Sequence, residues 1–158
     1  MLKKIDIYII KKYLGTFFLS ILLIISISVV IDISEKIDNF FDNHAPLKEI
    51  IFDYYVNFIP YFANLFTPLF AFISVIFFTS KMAYNTEIIA ILAGGVSFKR
   101  LLRPYFIASI FIGLISFLLS GYIIPPANKT RLAFEDKYVN KIKSEIARNI
   151  QMEIEKGT

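Results

Sequence analysis

Residues 13–31 read Tyr-Leu-Gly-Thr-Phe-Phe-Leu-Ser-Ile-Leu-Leu-Ile-Ile-Ser-Ile-Ser-Val-Val-Ile, a run of 19 residues without a charge in which 13 are Leu, Ile, Val or Phe. At roughly −0.3 to −0.6 kcal/mol for each such side chain near the centre of a membrane helix, insertion is favourable by about 4–8 kcal/mol before the hydroxyls and the glycine are counted. A helix of that length crosses a hydrocarbon core of ~30 Å. Two further charge-free runs, 54–80 and 104–128, are 27 and 25 residues long. Over the 158 residues, 56% are hydrophobic, 19% are charged and the mean hydropathy is +0.62. A water-soluble domain of this size is not built from such a mixture. Lys3 and Lys4 ahead of the first run, with Ser26-Ile27-Ser28 inside it, also resemble a cleavable signal peptide. The apolar run is longer than the ~7–15 residues of a signal core and continues past Ser28, so a retained helix is expected.

The charges between the runs are sorted by sign. Lys3, Lys4, Lys11 and Lys12 against Asp6 leave a net +3 before the first run, whereas residues 32–53 hold six acids against Lys36 and Lys48. Lys81, Lys99, Arg100 and Arg103 against Glu87 give +3 between the second and third runs. The excess of Lys and Arg on cytoplasmic loops places the N-terminus and the 81–103 loop inside and the acidic 32–53 loop outside. Residues 129–158 are then external, although seven basic and five acidic residues leave them at +2.

Catalytic chemistry finds little to stand on. The chain has no Cys and one His, His44, which removes thiolate metal sites, cysteine nucleophiles and multi-histidine centres. Every Asp and Glu lies outside the three apolar runs, so an intramembrane enzyme lacks ionisable groups. Asp32, Glu35, Asp38 and Asp42 lack the glycine and the closing acid of a calcium loop and read as a solvated acidic segment. Gly94-Gly95 is not followed in register by the Lys of a nucleotide-binding loop, so any ATP is hydrolysed by another chain. The net charge of +4 on so apolar a chain points to a membrane surface, not to nucleic acid. No cofactor and no metal are expected.

The 81–103 loop carries the most information. Asn85 or Thr86 is placed to cap a short helix over about 86–94, Glu87 sits in the first turn where the helix dipole favours an acid, and Gly94-Gly95 stop it. Ser97 is placed to start the next helix. Ile88, Ile91 and Leu92 form an apolar knob beside Ala90 and Ala93. Two readings fit: a helix lying flat on headgroups with Lys81, Lys99 and Arg100 on phosphates, or a helix seated in a groove of a soluble partner with Glu87 as ionic anchor.

Other features concern assembly. Pro60 and Pro68 inside the second run are expected to bend its helix. Ala63, Thr67 and Ala71, and Ser109, Gly113 and Ser120, form small-residue stripes that let helices approach closely and point to a larger assembly. Beyond Pro125-Pro126, Val139, Ile142, Ile146 and Ile150 mark one face of an external amphipathic helix, and Met152 and Ile154 between Glu153 and Glu155 read as the start of an edge strand.

The series Ile5-Asp6-x-Tyr8-Ile9-Ile10-Lys11, then Asn85-x-Glu87-x-x-Ala90-x-x-Ala93-Gly94-x-x-Ser97, then Tyr122-x-x-Pro125-x-Ala127-Asn128 resembles the N-terminal half of the LptF/LptG (YjgP/YjgQ) lipopolysaccharide export permeases. The loop motif is the most specific part. The resemblance implies an all-α membrane protein with a transmembrane domain over 1–128, a cytoplasmic coupling helix, and an external helical extension over 129–158 leading to a β-jellyroll domain. That domain and a second set of three helices, present in the family, are missing from these residues, so the chain is expected to be part of a permease.

The same resemblance implies a subunit of an ABC-type complex in the bacterial inner membrane that extracts lipopolysaccharide and passes it to a periplasmic bridge protein. Its partners would be a sister permease subunit and a cytoplasmic ATPase dimer. Glu87, Ile88, Ala90, Ile91, Leu92, Ala93 and Gly94 would meet the ATPase. Leu92 stands where family members often carry a basic residue, which removes a second ionic contact. Lys36, Lys129 and Arg131 would be the cations for phosphorylated lipid at the outer interface, the alternative being that all three are solvated anchors at helix ends. The alternative of a different class is a three-helix scaffold or assembly factor that transports nothing.

Overall fold

The computed structural model describes residues 3–138, and the amphipathic helix and edge strand expected from Val139 onward lie outside the described residues. Helix α1 spans Lys4–Asp42, α2 Leu47–Tyr84, the short α3 Glu87–Ala93, and α4 Phe98–Tyr138. Among the described residues there is no strand. The three long helices have 38 to 41 residues and are apolar enough to cross a membrane. Each is ~57–62 Å long, about twice the hydrocarbon thickness. The charge-free runs therefore occupy only the middle of each helix. Helix α4 runs without a break through Asn128 to Tyr138.

In α1 the hydroxyls that would be costly in lipid bond back into the helix. Thr16, Ser20, Ser26 and Ser34 each donate to the carbonyl four residues earlier at 2.8–2.9 Å. The helix stops at a left-handed residue. His44 has φ +50, its N–H bonds Phe41 O at 3.1 Å and the Ala45 N–H bonds Phe40 O at 3.0 Å. These two bonds close a Schellman turn, which Pro46 follows. The lone histidine is a turn residue.

Pro60 and Pro68 lie within an uninterrupted helical stretch of α2. Wide π-helical turns occur at Ile50–Tyr55 in α2 and at Leu119–Ile123 in α4, where Val56 N–H reaches Ile51 O and Ile124 N–H reaches Leu119 O. In α4 that turn directly precedes Pro125-Pro126. These prolines supply no N–H to the carbonyls behind them, and a wider turn eases the ring against the preceding turn of helix.

Two clusters hold the bundle. Near the basic end, Ile9, Tyr13, Phe17 and Ile21 follow one face of α1 at four-residue steps and meet Phe78 and Met82 of α2 and Leu101, Ala108 and Ile112 of α4. Tyr13 stacks on Phe78 with ring centroids 5.5 Å apart. Of the small-residue stripes, Ala63 and Ala71 pack inward on this cluster, whereas Gly113 has open space over its Cα. Outside, large side chains such as Phe72, Phe106 and Phe117 are 66–71% exposed, as lipid contact requires.

The second cluster lies at the acidic end and is aromatic: Phe40, Tyr54, Tyr55, Phe58, Phe134 and Tyr138. Lys36 joins it to ionic groups. Its ammonium lies 3.0 Å from Asp32 and 2.7 Å from Glu135, and it donates to the Tyr54 hydroxyl. Tyr55 donates to Asp32 at 3.1 Å. Farther out, the Tyr138 hydroxyl donates to Glu49 at 2.6 Å, which holds that carboxyl below the usual carboxylate range.

Replacing Lys36 by Met leaves Asp32 and Glu135 facing each other without a cation. We expect a loss of about 2–3 kcal/mol, short of the value for a fully buried pair because the groups retain some exposure. Thermal unfolding in detergent measures it, and adding Glu135→Gln should recover part of the loss; strictly additive effects would contradict the pairing.

Candidate functional site

The loop between α2 and α4 folds as expected in outline and differently in detail. Helix α2 ends at Tyr84, and the Thr86 N–H bonds Ala83 O at 3.0 Å. Thr86 then turns the chain with φ +60, an unusual conformation for a β-branched residue. It begins α3 with no side-chain cap, so neither Asn85 nor Thr86 supplies the expected cap. At the other end Gly94 is the C-cap and Gly95 has φ +86, a conformation open to glycine. Ser97 does cap α4, its hydroxyl accepting from Arg100 N–H at 3.3 Å.

The expected apolar knob is divided between two faces. Ile88 and Ile91 pack against the basic-end cluster and root α3 in the bundle. Ile89, 65% exposed, and Leu92, 37% exposed, point away from it together with the exposed Ala90, Ala93 and Gly94. Tyr84 beside them is 89% exposed. A seven-residue helix with apolar residues on both sides gives periodicity no means of choosing the inner face, so the sequence did not single out Ile89 and Tyr84.

Glu87 is held, not loose. The Tyr8 hydroxyl of α1 donates to its Oε2 at 2.8 Å, and Asn85 Nδ2 lies 3.4 Å from Oε1. The bond to a carboxylate pushes the Tyr8 hydroxyl pKa up, because ionising Tyr8 would place two anions together. Lys12 sits over the Tyr8 ring at 5.5 Å. Tyr8 is 79 residues from Glu87. Nothing in local spacing links the two.

Beneath this helix, Asp6 and Arg100 tie the starts of α1 and α4. Asp6, 3% exposed, accepts from Arg100 at 2.6 Å and from the Lys3 N–H at 2.7 Å. The pair sets where α4 leaves the loop that carries α3.

The three cations singled out at the acidic end have different surroundings. Lys36 is engaged by two carboxylates and a phenol hydroxyl, as described above. Lys129 is exposed. Arg131 is half-buried, its guanidinium 4.8 Å from the Tyr61 ring and 5.9 Å from the Phe58 ring, and its Nε has no hydrogen-bond partner. Asn128, one turn earlier, likewise has a buried side-chain oxygen without a partner. A shallow cleft lined by Ser28, Asp32, Glu35 and Phe58 runs alongside. Among the described residues, no group of three or more His, Asp or Glu side chains is placed to hold a metal ion.

No curated protein and no solved structure matches the chain significantly. Residues 7–155 match the family described as lipopolysaccharide export system permease LptF/LptG. The match takes in the spans of all three long helices, the α3 loop and the continuation of α4. With three helices fit to span a membrane and a rooted helix set between the second and third, the chain belongs to the LptF/LptG family of lipopolysaccharide export permeases.

Proposed function

We propose that the chain is part of a permease subunit that draws lipopolysaccharide out of the bacterial inner membrane and hands it to a periplasmic bridge protein. It works with a sister subunit, and a separate cytoplasmic ATPase drives it. The basic end faces the cytoplasm, by the charge bias of its loops. The observation that carries the reading is α3. Ile88 and Ile91 bind it to the bundle, while Tyr84, Ile89, Ala90, Leu92 and Ala93 form an outward face flanked by an acid of fixed position.

A helix in this arrangement suits a groove on a soluble partner. Its small residues admit close backbone approach, Ile89 supplies an apolar anchor, and Glu87 offers a carboxylate to a basic side chain. Tyr8 positions that carboxylate, so the acid is ordered before docking and less side-chain entropy is lost on binding.

At the acidic end, Lys129 and Arg131 are the cations proposed for phosphate groups of the lipid. Arg131 keeps an unpartnered Nε, and its guanidinium is braced on Tyr61. Lys36 contributes less directly, by holding α1 and α4 together beside them.

Co-purification of the ATPase with the membrane-embedded chain tests the docking face. Glu87→Lys and Ile89→Glu should each reduce recovery at least tenfold, Tyr8→Phe should reduce it several-fold, and thermal stability should change little. Unchanged recovery in all three would remove α3 as the contact.

The chain has no cysteine, so single cysteines introduced at Ala93 and Asp38 report the orientation cleanly. A membrane-impermeant thiol reagent applied to intact spheroplasts should label position 38 and spare 93.

For the lipid, a photo-crosslinker placed at Lys129 should trap lipopolysaccharide. Arg131→Gln should weaken that trapping several-fold, and undiminished trapping would take Arg131 out of the site.

A further inference from the structure

A cavity of about 490 Å³ opens between the N-terminal ends of α1 and α4, lined by Lys3, Asp6, Ser97, Lys99, Arg100 and Arg103. Ile9 and Leu101, both buried, close its floor. The cavity has no part in the α3 docking face. Its depth is set by the sequence: Arg103 immediately precedes the charge-free run of α4, and Arg100 lies one turn of helix farther out. At 1.5 Å per residue these side chains stand within ~6 Å of the hydrocarbon boundary, the depth of lipid phosphates.

The electrostatics of the cavity are unbalanced by construction. Asp6 is its only acid, and Asp6 is spent on Arg100 at 2.6 Å and on the Lys3 N–H at 2.7 Å. Lys3, Lys99 and Arg103 have no ion pair among the described residues. The Asp6–Arg100 pair, its carboxylate buried and its guanidinium partly exposed, joins the two helices across the cavity. A solvated loop would let its cations spread. Here they stand around a pocket with an apolar floor at the height of the headgroups.

We propose that this cavity binds a phosphate-bearing anion, specifically the phosphodiester headgroup of an anionic phospholipid in the leaflet at the basic end. Arg103 and Lys99 supply charge-assisted hydrogen bonds to the phosphate, and the exposed lining residue Ile5 meets the glycerol region. An anchored lipid would fix the depth of α1 and α4 in the membrane.

The test uses the full chain in phosphatidylcholine nanodiscs, with thermal unfolding followed as phosphatidylglycerol or inorganic phosphate is added. Phosphatidylglycerol should stabilise the wild type. The double variant Lys99→Gln with Arg103→Gln should unfold normally in phosphatidylcholine alone and bind phosphatidylglycerol about 30-fold more weakly, at about 1 kcal/mol for each cation. The control, Lys11→Gln with Lys12→Gln, makes the same change in charge at the same end outside the cavity and should keep most of the effect. Equal stabilisation by inorganic phosphate would support the anion site and assign its occupant to a soluble source. Equal loss in the two double variants, or no loss in the first, would overturn the proposal.

Discussion

Lipid supplies no hydrophobic force between helices, because acyl chains are as apolar as the side chains they would replace. The bundle therefore depends on close packing and on polar pins that fix one helix against another, and an ion pair joins α1 to α4 near each end. Asp6–Arg100 closes the basic end, and Lys36 with Asp32 and Glu135 closes the acidic end. The partners are separated by 94 residues in the first pin and 99 in Lys36–Glu135. Between the same two fastenings α4 thus uses five more residues than α1, ~7.5 Å of helix rise. The π-helical turn at Leu119–Ile123 lies between the pins. That turn and the long reach of Arg100 and Lys36 are where the surplus is accommodated.

The same physics separates what could be read from sequence and what could not. The spans were legible because a hydrocarbon core tolerates only uncharged runs of a certain length, and that demand is written residue by residue in 13–31, 54–80 and 104–128. Their continuation was not, since a reading by hydropathy stops at the first charge. Asp32, Lys36 and Glu135 look like the end of a membrane helix when read singly. In the fold Lys36 bridges the two carboxylates, and α1 and α4 run on beside Phe40 and Phe134. A pair 99 residues apart leaves no periodic trace.

At the loop, spacing gave the existence of α3, its stop at Gly94-Gly95 and the cap at Ser97. It left the cap at the start and the choice of face unresolved. The first failed because Thr86 enters in a left-handed conformation that no composition rule anticipates in a threonine. The second failed because Ile88, Ile89, Ile91 and Leu92 together cover an arc of about 160°, wider than the face that packs, and only contact with the basic-end cluster decides which are inward.

What α3 can transmit follows from how it is fastened. It is joined to α2 through Asn85 and the left-handed Thr86, to the basic-end cluster by Ile88 and Ile91, and to α1 by Tyr8 at 2.8 Å. A seven-residue helix has too few internal hydrogen bonds to hold its own shape under load. A partner pulling on it therefore acts on its fastenings, and one of these, the Tyr8–Glu87 bond, leads into α1, which is continuous for 39 residues to the Schellman turn at His44. At its far end α1 carries Lys36, which is bonded to Glu135 one turn from Arg131. On the proposed reading, α1 is the rod that joins the docking face at one end of the bundle to the lipid cations at the other, and Tyr8 is the side chain through which it is gripped.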